Sequence, residues 1–395
     1  MSSPEVAQQK DRLRVAIDAR HLRDFGIGTH IRNLIENLPL AAPDLEFQAL
    51  VRAADKKDLP AGIHPVIYER DDRDRFEDIR FPMALRALKA DLYHVPLNVV
   101  PMFMPKPYVV TIHDMSSLLY PDGQGTDANW RAYRFRRGLQ RADRVIAVSH
   151  ATKRDVQRVM GVPENRIRVI HNAPDPVFAR SDVADDLRLR ELLVERYQID
   201  YPYILYAGTI RAQKNVPRLV EAFAVLRGEL ETHPIYKKLR LVIIGDEVSK
   251  HPQLRRTVIQ SRVENLVRFL GFVPIDMLRA FYKNAAAFVF PSLYEGFGLP
   301  PIEAMACGTP VVTSNVSSLP EVVGDAAIIV NPENVFDISR GIREVLLDEF
   351  LRRRCVQLGL QQLKRFSWRL TAEQAAAVYR EVAGLHGSSK STSSR

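Results

Sequence analysis

Cysteine is almost missing from this chain, with two residues in 395, Cys307 and Cys355. So few, with no metal-ligand spacing between them, exclude a disulfide scaffold or a zinc ribbon and predict reduced thiols. Long apolar runs are missing as well. No stretch approaches the roughly 18–20 apolar residues that a membrane-spanning helix needs. Met1 to Arg14 is polar and lacks the apolar core of a signal peptide, so a cytoplasmic protein is expected. Internal repeats and extended low-complexity blocks are absent too. What remains is an ordinary globular composition, 46% apolar and 26% charged, long enough to predict two domains. Acids are the minority charge, 47 against 56 basic residues. The net charge of +9 admits nucleic acid, anionic membrane or anionic substrates as partners.

Short apolar strands alternating with amphipathic helices predict parallel sheets. In the first half, strands are expected at Leu13 to Ala19, Phe47 to Val51, Asp91 to Val95, Tyr108 to Ile112 and Arg144 to Val148. Helices are expected after Gly26-Ile27-Gly28, where Ile31, Leu34, Ile35 and Leu38 have helical spacing, and at about 129–141. A polar stretch from Asn172-Ala173 to Pro202 marks a domain boundary. The second half restarts at Tyr203 to Gly208, with strands at Leu239 to Gly245, Val267 to Gly271, Ala286 to Phe290, Pro310 to Thr313 and Ala327 to Val330. The pattern is α/β, two Rossmann-like domains facing across a cleft, with ligands at the carboxyl ends of strands. The boundaries are 12–172 for the first domain, 173–202 for a linker, 203–365 for the second domain, 366–386 for a terminal helix and 387–395 for a Ser-rich disordered tail.

One segment concentrates the chemistry. The strand ending at Phe290 enters a loop with Glu295, Gly296 and Gly298, and Pro300-Pro301 then open a helix that carries Glu303 and stops at Gly308. Glycines admit a ligand to the backbone, and a helix start offers free N–H groups and a positive dipole end to an anion. Two acids beside such an anion site describe a nucleotide-sugar pocket. Arg211 and Lys214 lie between the first strand of the second half and its first helix, where fixed cations would stabilise a departing diphosphate without a metal.

The Glu295 to Glu303 segment resembles the E-x7-E signature of glycosyltransferase family 4, retaining enzymes of the two-domain GT-B fold. The resemblance runs from about Arg14 to Val382 and is most specific in the second half. It implies that Glu295 contacts hydroxyls of the donor sugar and Glu303 the ribose of the nucleotide. Backbone groups at Phe297, Gly298 and Leu299 would reach the sugar and phosphates, and those at Val273 the base. Arg211 and Lys214 resemble the family's phosphate-binding pair, and His113 of Thr111-Ile112-His113-Asp114 its donor-sugar histidine. Gly28 would let the first helix approach the diphosphate. His30 stands where a tyrosine is commoner, with a helix-surface histidine as the plain alternative. The terminal helix with Trp368 and Tyr379 is similar to one that crosses back to the first domain. Ser149 is a helix N-cap, and Ser317-Ser318 is structural.

The reaction implied is metal-independent transfer of a hexosyl group from a nucleotide diphosphate sugar to an acceptor hydroxyl, with no separate cofactor. Arg211-x-x-Lys214-Asn215 resembles bacterial mannosyltransferases of polysaccharide assembly, so GDP-mannose is preferred to a UDP-hexose. A glycan or lipid-linked saccharide is the expected acceptor, with Tyr93, His94 and Asn98 as its candidate contacts. Peripheral contact with anionic membrane suits the basic charge. The rival is a basic nucleic-acid- or membrane-binding protein on a non-catalytic nucleotide-sugar fold. Arginines cluster from Arg131 to Arg144, but no nucleic-acid module accompanies them, so no nucleic acid is expected. Asp72-Arg73-Asp74 spells the D-x-D of metal-dependent transferases, within a charge cluster that reads as a solvated loop.

Overall fold

The computed structural model describes residues 12–24, 26–70, 76–120, 126–180 and 183–392. Asp72 and Asp74 of the D-x-D therefore lie outside the described residues. Two compact units are present: the residues through Asn172 with those from Trp368 onward, and Ala173–Ser367.

The first unit is built on seven strands: β1 (Arg14–Asp18), β2 (Glu46–Val51), β3 (Ile63–Ile67), β4 (Leu92–Val95), β5 (Tyr108–Ile112), β6 (Arg144–Ala147) and β7 (Ile167–Val169). All pair in parallel, in the order β3-β2-β1-β4-β5-β6-β7. Central strands are buried on both faces, as every residue of β4 and β5 is, which is why they read as continuous apolar runs. The two strands without a sequence signal are the sheet's edges. Proline interrupts β3 and most of it is exposed, while β7 has three residues. An edge tolerates proline because one side of its ladder is unused.

The helix Ile27–Ala41 packs Ile31, Leu34, Ile35 and Leu38 inward, and the terminal helix Trp368–Thr392 lies against it within the same unit. That helix continues past Gly387, where a disordered tail was expected. The segment contains no proline, and a helix already nucleated and anchored propagates at little cost.

The second unit has β8 (Tyr203–Gly208), β9 (Arg240–Gly245), β10 (Val267–Gly271), β11 (Ala287–Phe290), β12 (Val311–Ser314) and β13 (Ala327–Val330). These are also parallel, in the order β10-β9-β8-β11-β12-β13. Residues 173–202, read from sequence as a linker, belong to this unit. The helix Val183–Tyr197 is tied to the helix Ile275–Asn284: Arg279 pairs with Asp185, and Lys283 reaches Asp186 at 2.5 Å and the Arg180 carbonyl at 3.2 Å.

Candidate functional site

In the second sheet the strand order reverses between β8 and β11, and parallel sheets bind ligands outside the carboxyl ends at such a reversal. The loops leaving these two strands carry Lys214 and Glu295. They are stitched together by backbone. Asn215 takes a left-handed conformation (φ 60°) at the end of the turn Ala212–Lys214. Its side-chain amide donates to the carbonyls of Pro291 at 3.0 Å and Pro332 at 2.7 Å. The Leu293 N–H donates to the Gln213 carbonyl at 2.7 Å. The result is a close ion pair, with Lys214 Nζ 2.6 and 2.7 Å from the two Glu295 oxygens. The ammonium also lies 5.5 Å from the centroid of the Phe290 ring. Arg211 begins the same turn and is exposed.

A pair of serines shapes the Glu295 loop. The Glu295 N–H donates to Ser317 Oγ at 3.2 Å. Ser318 Oγ lies 2.9 Å from the Glu295 carbonyl and 2.8 Å from the Phe297 carbonyl, which share its one hydroxyl proton. Gly298 then takes φ 103° and precedes the helix Leu299–Ala306, with Pro300 and Pro301 in its first turn. A β-carbon at Gly298 would be strained there and would meet Leu319 Cδ2 at 2.8 Å. Phe297 is buried, its ring edge-on to Phe366 at 5.6 Å. Val273 is buried just past β10. Ser317 and Ser318 hold the loop through main chain, a role that side-chain chemistry in the sequence does not advertise.

Glu303 sits in the first turns of this helix, half-buried, and accepts from the Tyr282 hydroxyl at 3.2 Å. Burial pushes its carboxyl up to about 8, the Tyr282 hydrogen bond opposes, and Asp175 adds to the rise. A carboxyl raised on folding binds its proton more tightly in the native state. That stabilisation is complete below the unfolded value near 4.5 and is lost as pH rises through about 8. Glu303→Gln, which mimics the protonated acid, should therefore melt higher relative to the parent at pH 9 than at pH 5. Melting curves at the two pH values check this; an equal difference at both would show that Glu303 is not held neutral.

In the first unit the order reverses between β1 and β4. His113 follows β5, its N–H donating to Asn98 Oδ1 at 3.0 Å and its ring Nε2–H to the Pro96 carbonyl at 3.1 Å. Burial lowers its imidazole to about 4, the Pro96 bond opposing and His94 adding to the fall. The neutral ring thus keeps Nδ1 as an acceptor. Asp114 accepts from the backbone N–H of Ser116 at 2.8 Å, and Ser149 caps the next helix, accepting from Thr152 N–H at 2.9 Å.

Two expectations need correcting here. His30 is not on a helix surface. It is 2% exposed, 4.7 Å from the His113 ring and 5.8 Å from Trp368, with Nδ1 2.8 Å from Asn172 Oδ1. His94 is not at any opening. Its Nε2 is 2.8 Å from Thr111 Oγ1 and its Nδ1 2.7 Å from the Tyr379 hydroxyl, all buried, and burial lowers it to about 3. Tyr93, also on β4, is buried, while Asn98 is half-buried. Gly28 is required by packing, since a β-carbon there would lie 2.6 Å from the Leu22 carbonyl oxygen.

Two family descriptions match this chain: "Glycosyl transferases group 1" over residues 192–362 and "Glycosyltransferase Family 4" over residues 26–178. It is also 34% identical, over 299 residues, to the O-antigen chain mannosyltransferase B of Escherichia coli, covering 75% of this chain and 76% of that one. The chain belongs to glycosyltransferase family 4. The group 1 match holds Lys214, Glu295 and Glu303, and the family 4 match holds Gly28, His30 and His113. This glycosyltransferase is also 33% identical over 275 residues to the serotype-specific mannosyltransferase WbdA of Escherichia coli. It spans 69% of its own length there but only about a third, 33%, of WbdA. Among solved structures, sucrose-phosphate synthase from Thermosynechococcus elongatus superimposes with a TM-score of 0.74 at 22% identity, over 95% of this chain and 100% of that one. The fold of the glycosyltransferase is GT-B.

Proposed function

We propose that this glycosyltransferase moves a hexosyl group, mannose from GDP-mannose rather than a sugar from a UDP-hexose, to a hydroxyl of a glycan or lipid-linked saccharide. Anomeric configuration is retained, no metal takes part, and the product belongs to polysaccharide or glycolipid assembly. The observation that carries the reading is the Lys214–Glu295 pair at the reversal of the second sheet. Breaking the bond between sugar and diphosphate builds negative charge on the leaving phosphate. An ammonium has three N–H donors, and the two oxygens of Glu295 do not exhaust them, so Lys214 can meet the phosphate while Glu295 accepts from a sugar hydroxyl. Exposed Arg211 opens the turn that ends at Lys214 and would add a second cation, and the helix Leu299–Ala306 that follows the Glu295 loop would offer its positive end. Phosphate and sugar are thereby gripped on either side of the bond that breaks.

Glu303 would bind the nucleotide ribose, Val273 the base through main chain, and Phe297, Gly298 and Leu299 the donor through their N–H groups. His113, neutral with Nδ1 as its acceptor nitrogen, would orient the donor sugar, and Gly28 would give the first helix its approach to the diphosphate. Mannose rests on the names of the two Escherichia coli relatives. We place the enzyme in the cytoplasm, in peripheral contact with an anionic membrane where lipid-linked acceptors are held. No helix among the described residues is long and apolar enough to cross a membrane.

The test is a thermal-shift panel of GDP, UDP and ADP with their sugar conjugates, each with magnesium and with chelator. A ligand at about 100 times its dissociation constant adds about 2.7 kcal/mol to stability, or roughly 5–10 °C in a unit of this size. GDP and GDP-mannose should give that shift with or without magnesium. A shift with UDP compounds alone would overturn the mannose reading, and no shift with any nucleotide would overturn the donor site.

A further inference from the structure

The helix Glu77–Ala87 is apolar on two opposite faces. Phe81, Pro82 and Leu85 are buried, and at 100° per residue they share one side. The opposite side carries Ile79 and Met83, in line with Phe76 just ahead of the helix. These three are 54%, 61% and 58% exposed. Arg80 and Arg86 border the outward stripe, both exposed, and the Arg80 guanidinium lies 5.0 Å from the Phe76 ring centroid. A helix needs one apolar face to fold against its core. A second, fringed by arginine, needs another solvent.

The surface extends to the helix Thr126–Arg141. Arg134 pairs with Asp78 at 2.5 Å, and these two line one small cavity with Val99 and Pro101, so both helices and the loop between them adjoin. Trp130 and Tyr133 project from the second helix, 56% and 53% exposed, with their rings stacked at 5.6 Å. Arg136, Arg137 and Arg141 are exposed on it too. The acids of the first helix do not offset this charge, because Glu77 is buried on Arg20 and Asp78 is held by Arg134. Exposed Trp and Tyr, an aliphatic stripe and flanking arginines are what a bilayer interface selects, rings at headgroup depth and cations on lipid phosphates.

We propose that this face of the first unit docks on an anionic phospholipid bilayer, with Ile79, Met83 and Trp130 entering the headgroup–acyl boundary and the arginines meeting the phosphates. The inference rests on the reading of the enzyme as a peripheral membrane transferase, and it names the surface involved.

Full-length protein is sedimented with vesicles of phosphatidylglycerol and phosphatidylcholine in equal parts, and with phosphatidylcholine alone. Binding is expected to the anionic vesicles, and Ile79→Glu/Met83→Glu should lower the partition coefficient at least tenfold. Trp130 gives an independent signal, since the chain has two tryptophans and Trp368 is buried. Emission should shift to the blue on anionic vesicles and cease to shift in Trp130→Phe. Binding by the double variant equal to the parent, equal binding to neutral vesicles, or a parent dimer that the variant splits without losing vesicle binding would each overturn the proposal. The nucleotide thermal shift of the same preparations separates failures: retained, it shows the variant folded; lost in a parent that still binds vesicles, it counts against the donor site alone.

Discussion

Lys214→Ala is expected to lower turnover by about 10²–10³-fold, the scale for removing one fixed group that stabilises developing charge. Loss of fold could imitate that result, because the substitution leaves the Glu295 carboxylate, 10% exposed at its side chain, without the cation 2.6 Å away. Stripping one partner from a fully buried pair costs about 3–5 kcal/mol, and this pair, partly open to water, should cost less. The two losses separate in the variant Lys214→Ala/Glu295→Gln. Making residue 295 neutral removes the stranded charge, so the melting temperature should return toward that of the parent. Turnover should stay down, since neither the cation nor the carboxylate is restored. Steady-state rates and melting curves on the four members of this cycle give the coupling in both quantities. If melting and turnover recover together, Lys214 serves the loop and not the leaving phosphate.

This pair also marks the limit of what a sequence discloses. Glu295, Glu303 and the glycine and proline between them lie within one strand–loop–helix, so local chemistry announces them. Lys214 and Glu295 are 81 positions apart, and their contact depends on β8 and β11 being neighbours across a reversal of strand order. Alternating strands and helices imply such a reversal without stating which side chains meet there. Edge strands were illegible for the opposite reason: β3 and β7 are partly exposed, so burial wrote no apolar run into them. His30 and His94 are buried, where a helix-surface histidine and an acceptor contact are the sequence's readings, because a polar residue carries no sign of a partner distant in the chain. His94 is buried with both ring nitrogens engaged, one of them by Tyr379, which lies 285 positions away. Nothing near His94 in the sequence could announce that partner.

Arg20 likewise meets a distant partner, Glu77, 57 positions away, and its replacement should have the largest effect on stability. Its guanidinium donates to both oxygens of Asp18, at 2.9 and 2.8 Å, and to Glu77 Oε1 at 2.7 Å, and it lies over Phe81 with 4.2 Å to the ring centroid. The side chains of all three charged residues are 4% exposed or less. Tyr68 completes the cluster, its hydroxyl donating to the other oxygen of Glu77 at 3.0 Å. Arg20→Met keeps the packing volume and strands two carboxylates, so a loss of about 3–5 kcal/mol is expected, on the order of 10 °C in melting temperature for a unit of this size. Arg20→Lys should recover little, because a lysine has no planar fork to span both acids. Converting all three charged residues together, Asp18→Asn/Arg20→Met/Glu77→Gln, should restore much of the loss, since no buried charge is then left alone. The pH dependence supplies a further check. In the parent, burial tends to raise the Asp18 carboxyl, but Arg20 outweighs it and holds the group below its usual value. That contribution is present above about 3.8 and is lost as pH falls through the depressed native value. Without the guanidinium, burial is opposed only by His21 and the backbone N–H of residue 20, so Asp18 takes up a proton at higher pH than in the parent. The variant then regains stability between pH 7 and pH 4 while the parent's Asp18 contribution still stands. The gap in denaturant midpoint between parent and Arg20→Met should accordingly narrow from pH 7 to pH 4. A constant gap would mean that Arg20 stabilises the unit by packing on Phe81 and not by its charge.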